Sequence, residues 1–157
     1  MADSPEPENA GTQEPAGPSL FERLGGEERL RAIIDVFVDR VMKDTMIGFF
    51  FRKVDASALK RLEYEFAAAH LGAGTVYSGR PIEKAHAPHP IMGGQFNRRL
   101  KILERTLADL DVPPDVSAAW LEHNERLRPL VTSDPSNLCD PTAARERALE
   151  ALKGKTQ

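Results

Sequence analysis

Several features that mark particular classes of protein are missing from this sequence. Cys139 is the single cysteine among 157 residues, so no disulfide can form within the chain. Neither sign of charge dominates, since 21 lysines and arginines stand against 24 acidic residues, and the net charge of -3 offers no basic surplus for a nucleic-acid partner. No uncharged apolar run approaches the roughly 18 residues that a membrane-spanning helix needs. By elimination, these absences predict a soluble protein of a reducing compartment such as the bacterial cytosol, with neither nucleic acid nor membrane as partner.

Large hydrophobic residues are also scarce at the N-terminus. Residues 1–18 contain four prolines and several acids, and after Met1 they include no large apolar side chain. Such a segment cannot bury enough surface to offset the entropy lost on ordering, so we expect a disordered tail. The same residues lack the basic start and apolar core of a secretory signal.

Helical patterns begin at Ser19. Ser19 and Glu22 have the spacing of a capping box, which predicts a short helix that the Gly25-Gly26 pair ends. Beyond the glycines, apolar residues recur at helical spacing and predict a second helix with one buried face. That face contains Leu30, Ile33, Ile34, Phe37, Val38 and Val41.

The middle of the chain predicts one long and one very short helix. Asp55 is suited to capping a third helix and Gly72 to ending it. The predicted apolar face of this helix contains Leu59, Leu62, Phe66 and Ala69. A short helix over residues 82–87 carries His86, and Pro88 and Pro90 end it because proline cannot continue a helix.

The last part of the sequence predicts three more helices. One runs from about residue 93 to 110, with the apolar stripe Phe96, Leu100, Leu103, Leu107 and Leu110. A second covers about residues 116–131, and a weaker one covers 142–153. Since no heavy strand pattern appears, we expect an all-α fold. We expect a disordered tail over 1–18, one helical domain over 19–134, and a C-terminal extension with a short helix over 135–157.

Five short motifs occur in the order, and at nearly the spacing, of one known family. They are FERLGG at 21–26, DVFVDRV at 35–41, the Phe50-Phe51 pair, Tyr-Ser-Gly at 77–79, and His86 followed by Ile91 and Phe96. Together these motifs resemble the group I truncated haemoglobins, and the resemblance covers residues 20–131.

The resemblance implies a truncated-globin two-over-two helical sandwich around haem b, with His86 as the proximal ligand of the iron. On the opposite, distal face it implies a wall of Phe37, Phe51, Leu59 and Phe66. On the proximal face it implies a wall of Ile91, Phe96 and Leu100. The residues expected to shape the site of a bound gas are Val38, Leu59 and Glu63.

Two of these positions depart from the family. Val38 stands where well-known members have a tyrosine that donates a hydrogen bond to bound oxygen, and Glu63 stands where they often have glutamine. An ionised carboxylate can only accept hydrogen bonds, whereas a neutral, buried acid could donate one. Glu63 could instead turn to solvent or pair with Arg61 or Lys60, and the sequence leaves these alternatives open.

The other three histidines have ordinary explanations. His89 lies between two prolines, which predicts a bend rather than a helix. His70 lies near the end of the third helix, where a cation is favoured. We expect His123 on an exposed face. Of the four histidines, His86 is the one whose spacing to Ile91 and Phe96 matches the family, and the resemblance makes it the candidate ligand.

The sequence supports more than one function. The main hypothesis is a haem protein that binds oxygen, carbon monoxide or nitric oxide at ferrous iron, with a non-standard distal pocket. An enzymatic version would be a nitric-oxide dioxygenase or a peroxidase-like activity, for which a reductase is a possible partner. The alternatives are a globin-fold sensor or interaction module with weak or no haem binding, and a helical bundle whose resemblance is accidental.

Overall fold

Seven α-helices and one turn of 3-10 helix make up residues 17–134, the part of the chain that our computed structural model describes. In chain order they are α1 (Leu20–Leu24), α2 (Gly26–Lys43), the 3-10 turn (Gly48–Phe51), α3 (Ala56–Leu71), α4 (Ile82–His86), α5 (Gly93–Asp109), α6 (Pro114–Arg126) and α7 (Arg128–Val131). Residues 17–134 contain no strand. The predicted N-terminal tail up to residue 16 and the predicted extension with its helix over 142–153 lie outside the described residues.

Local capping signals begin and end the first helices as predicted. The Ser19 hydroxyl accepts a hydrogen bond from the backbone N–H of Glu22 at 3.2 Å, and the Glu22 carboxylate accepts one from the backbone N–H of Ser19 at 2.7 Å. Gly25 then takes a φ of 115° and Gly26 a φ of 81°, which side chains with a Cβ rarely adopt. The chain therefore turns sharply between α1 and α2.

The second helix is the centre of the core. All six residues of its predicted apolar face are buried, and Leu30 and Ile33 are completely inaccessible to solvent. α2 packs against α1, α3 and α5. This burial of one continuous apolar stripe is the main source of stabilisation for a helix of this length.

Two pairs of helices form the predicted two-over-two sandwich. α2 and α3 pack together as one layer, α5 and α6 as the other, and the layers meet where α2 contacts α5 and α3 contacts α6. The short helix α4 packs on α7 and, within residues 17–134, has no Cα atom within 8 Å of α3. The chain thus leaves a gap between α3 and α4.

Two predicted apolar faces differ from the observed ones. In α5, Ile102 and Thr106 are buried, whereas Leu100 and Leu110 are only half-buried. The reason is that α5 contacts α2 and α6 together, so its buried face is broader than one stripe. In α3, Ala69 is exposed, and the residues buried in the core are Ala67, Ala68 and Leu71.

The helix predicted over 116–131 is two helices. It begins at Pro114, which suits the first turn of a helix, and it breaks at Leu127 before Pro129. Because Pro129 has no N–H, it cannot bond to the carbonyl four residues earlier, and the chain starts the new helix α7 there. The break positions α7 beside α4.

An ion pair joins the end of α2 to α5. Both Nε and Nη2 of Arg98 donate to the Asp44 carboxylate, at 2.9 and 2.7 Å, and the backbone N–H groups of Met46 and Ile47 donate to its other oxygen. These hydrogen bonds hold the pKa of Asp44 below its ordinary value.

None of the helices within residues 17–134 is long and apolar enough to cross a membrane.

Candidate functional site

A cavity of about 260 Å³ lies in the gap between α3 and α4. Its walls are mostly apolar side chains, and they come from the 3-10 turn, α3, α4, the loop after α4, α5 and the last two helices. The apolar side chains in the lining include Phe51, Leu59, Leu62, Phe66, Ala85, Ile91 and Phe96. A space that is apolar on both sides suits a flat apolar molecule.

His86 is in the wall of this cavity, at the last residue of α4. Its Nδ1 atom lies 2.7 Å from the carbonyl oxygen of Ile82, one helical turn earlier. Because a carbonyl can only accept, Nδ1 carries a hydrogen, and Nε2 is the ring nitrogen that a metal could bind. A neutral imidazole whose other nitrogen donates to the backbone is the form in which histidine binds a metal.

These residues fit haem. α3 and α4 are held apart by their packing on other helices, and apolar side chains line both sides of the space between them. The imidazole of His86 lines this space at the end of α4 and would supply one nitrogen ligand. Haem iron would take its nitrogen ligand from His86, and the porphyrin would lie between the apolar walls.

Glu63 also lines the cavity, and it pairs with a residue that the sequence analysis did not consider. Its Oε1 atom accepts a hydrogen bond from Nη2 of Arg99 at 2.6 Å. The alternative in which Glu63 pairs with Lys60 or Arg61 is wrong. Lys60 pairs with Asp35 and Asp39, and Arg61 pairs with Glu65.

Arg99 is held from three directions. Its Nη1 atom donates to Oδ1 of Asn124 at 3.0 Å, and its guanidinium carbon lies 5.0 Å from the centre of the Phe37 ring. The amide nitrogen of the buried Asn124 donates to the carbonyl oxygen of Trp120 at 2.9 Å, which directs Oδ1 toward Arg99. Only the spacing of Arg99, three residues after Phe96 on the same helix, signals its position in the cavity wall.

Most of the predicted haem contacts come together in this cavity. His86, Phe51, Leu59, Glu63, Phe66, Ile91 and Phe96 all line it. Phe37 and Val38 do not, because both point from α2 into the core and are at most 2% exposed. Leu100 lies instead in a separate shallow depression beside Leu121, since the cavity-facing side of α5 carries Gln95, Phe96 and Arg99.

The structure places the remaining histidines as follows. His89 lies in the bend after α4, as predicted, and it too borders the cavity. The expectation that His123 is exposed is wrong, because its half-buried ring stacks on His70 between α6 and α3. Burial is the main cause that lowers the pKa of His123, with smaller contributions from His70 and Arg126.

Tyr77 is a further cavity residue that the sequence analysis named only as part of a loop motif. Its ring meets Phe66 edge to face, with ring centroids 5.2 Å apart. Burial raises the pKa of its phenol, and the nearby Glu63 and Glu65 add to this effect. Tyr77 and Arg99 are therefore two polar donors in the lining.

Comparisons with known proteins agree with this geometry. The bacterial-like globin family matches residues 19–133. The chain is 33% identical over 99 residues to group 1 truncated hemoglobin LI410 of Chlamydomonas moewusii. This match covers 61% of this chain and 57% of that protein. It is 32% identical over 102 residues to group 1 truncated hemoglobin GlbN of Mycolicibacterium paratuberculosis, covering 65% of this chain and 74% of that protein.

A solved structure shows the same fold. The crystal structure of truncated hemoglobin from Tetrahymena pyriformis in its Fe(III) form superposes with a TM-score of 0.70 at 24% sequence identity. The match covers 74% of this chain and 100% of that chain.

Proposed function

Since this chain belongs to the bacterial-like globin family, and within it to the group I truncated haemoglobins, we propose that it holds haem b on His86 and binds a diatomic gas. When bound, haem supplies a ferrous iron with one position open to oxygen, carbon monoxide or nitric oxide. The observation that carries the proposal is the hydrogen bond from His86 to the Ile82 carbonyl in the wall of an apolar cavity.

The side chains of the cavity divide into two sets in this proposal. We call the α4 side, with His86, Ile91 and Phe96, the proximal side, and we call the α3 side, with Leu59, Glu63 and Phe66, the ligand side. The Ile82 carbonyl orients the His86 ring by accepting from Nδ1, so that Nε2 is the nitrogen left to bind the iron. The apolar side chains of both sides exclude water, and a dry environment protects the ferrous state.

The cavity favours this proposal over a module that binds no haem. An apolar space of about 260 Å³ forfeits the dispersion contacts and the apolar burial that side chains of a solid core would make. Evolution toward a pure interaction module would be expected to fill such a space.

Gas binding at ferrous iron also requires that the iron be kept reduced, so a reductase partner in a reducing compartment belongs to the proposal.

Absorption spectra of the ferric, ferrous and CO-bound forms test the proposal directly. We expect a Soret band that shifts when carbon monoxide is added to the reduced protein. His86→Ala should abolish the CO adduct or greatly weaken haem retention, whereas His89→Ala, which removes the neighbouring histidine, should keep both. Folded protein that takes up no haem on reconstitution would refute the proposal.

A further inference from the structure

We propose that Arg99 is the hydrogen-bond donor to the ligand in this cavity, held in position by Glu63 and Asn124; this inference rests on the proposed function. Arg99 is in the cavity wall together with Leu59 and His86. Its partners come from α3 and α6, so the network spans both layers of the fold. Arg99 would then determine the relative affinities of the protein for different ligands.

The α3 residues of the ligand side provide no hydrogen-bond donor, so Tyr77 is the donor in the lining with which Arg99 has to be compared. Leu59 and Phe66 are apolar, and Val38 is both apolar and buried in the core. Glu63 is the acceptor of its hydrogen bond with Arg99, so that carboxylate oxygen is turned to a donor and not to a ligand. In surroundings of low polarity a single well-placed donor has a large effect, because there is little solvent to compete with it.

Arg99 has donors left over. A guanidinium group has five N–H bonds. Within residues 17–134, the hydrogen bonds to Glu63 and Asn124 use two of them. The remaining N–H bonds are therefore available to a ligand, and the 26% exposure of the side chain is consistent with its place in the lining.

The position of the guanidinium is tightly constrained. The amide of Asn124 is 5% exposed and bonded to the Trp120 carbonyl, so it cannot rotate without losing a buried hydrogen bond. The Phe37 ring lies beneath the guanidinium at 5.0 Å, and Glu63 offsets its charge at 2.6 Å. A cation that is already paired and oriented can donate to a ligand without reorganising.

This arrangement predicts a ligand class. Ligands whose outer atom accepts a hydrogen bond, such as dioxygen or a small anion, gain from the donor. Carbon monoxide is a poor acceptor and gains little. Arg99 should therefore raise the affinity for dioxygen relative to carbon monoxide, which is the role that a distal tyrosine would otherwise fill.

The test compares Arg99→Leu with Arg98→Leu in the haem-loaded protein. Arg98 precedes Arg99 on α5 and also forms an ion pair, with Asp44, but it is not in the cavity lining. Arg99→Leu should raise the dissociation rate of dioxygen about tenfold or more, as expected for loss of a charged hydrogen bond. It should change the dissociation rate of carbon monoxide far less, and Arg98→Leu should change neither rate.

A spectroscopic signature separates a donor role from a merely structural one. Loss of positive charge near a bound carbon monoxide raises its infrared stretching frequency, so Arg99→Leu should raise it and Arg98→Leu should not. Asn124→Ala leaves the guanidinium in place but frees it, and should shift the same two readouts in the same direction by a smaller amount. If Arg99→Leu does not fold, Arg99→Lys, which keeps the charge without the planar fork, should show an intermediate effect.

Two results would overturn this inference, and a third would refute the proposed function on which it rests. An unchanged ratio of dioxygen to carbon monoxide dissociation in Arg99→Leu, or in Arg99→Lys if only that variant folds, overturns the inference. So does a Tyr77→Phe variant that reproduces the expected shifts when Arg99→Leu does not, because the phenol would then be the donor. A wild-type protein that binds no haem would refute the proposed function itself, which is a separate outcome.

Discussion

The imidazole rings of His70 and His123 lie nearly parallel, at an angle of 8° with their centroids 3.8 Å apart, where α3 packs against α6. Nε2 of His70 lies 3.2 Å from the carbonyl oxygen of Ala119, which fixes one ring against α6. The His123 ring also lies 5.3 Å from the ring of Phe66, a cavity residue. The histidine pair therefore supports the ligand side of the cavity from behind.

Because of this histidine pair, we expect the free energy of unfolding to depend on pH. The pKa of His123 is lowered from its ordinary value of 6.5, so below that pH the unfolded chain binds a proton more readily than the folded chain. The free energy of unfolding should therefore fall as the pH is lowered below about 6.5, and it should be restored above that value. Urea unfolding between pH 5 and pH 8, followed by circular dichroism, measures it.

His123→Gln should flatten this pH dependence, because glutamine does not titrate. His89→Gln is the matched control, since His89 lies in the exposed bend after α4 and should leave the slope as it is in the wild type. Equal slopes for His123→Gln and the wild type would show that another group causes the pH dependence.

We predict that the protein does not tolerate an added methyl group at Gly48. A Cβ atom on Gly48 would lie 2.6 Å from the backbone carbonyl oxygen of Met42, so the backbone would have to shift to accommodate it. Gly48→Ala should lower the free energy of unfolding by ~1–3 kcal/mol, the range typical of overpacking. Gly94→Ala is the control, because nothing lies within 4 Å of its added methyl group.

In urea unfolding, Gly94→Ala should be neutral or slightly stabilising, since alanine favours the helical conformation over glycine. A Gly48→Ala variant as stable as the wild type would mean that the end of α2 can shift to make room. The same shift would move the 3-10 turn that carries Phe51 at the cavity.

The cavity itself can be tested without touching any polar group. Ala85 precedes His86 on α4 and lines the cavity, whereas Ala87 follows His86 and is exposed. Ala85→Trp should fill the space and reduce haem uptake by roughly tenfold or more, as expected when a bulky side chain occupies a binding site. Titration of the protein with hemin, followed at the Soret band, measures the uptake.

Ala87→Trp adds the same side chain two residues away, outside the cavity, and should take up haem as the wild type does. Circular dichroism of both variants shows whether the helices are intact. Undiminished uptake by folded Ala85→Trp would place haem somewhere other than the space between α3 and α4.

The helices and the candidate ligand could be predicted because their signals are local. The capping box at Ser19, the glycines that end α1 and α3, and the prolines after His86 act through neighbours one turn away or less. The apolar face of α2 was predicted completely because it is buried along its whole length. In α3 and α5 the prediction of buried residues was only partly correct. One side of α3 meets the cavity instead of another helix, and α5 packs against both α2 and α6.

What the sequence by itself determined is most of the helices, the caps that begin and end the first of them, and His86 as the candidate ligand; it did not predict the break between α6 and α7. The tertiary structure alone decided that Val38 belongs to the core, and that Glu63 meets Arg99 rather than a neighbour on its own helix. The partners of Arg99 are 36 and 25 residues away along the chain. Contacts at such separations depend on the angles and positions at which the helices cross. The spacing of residues within a single helix does not determine that crossing geometry.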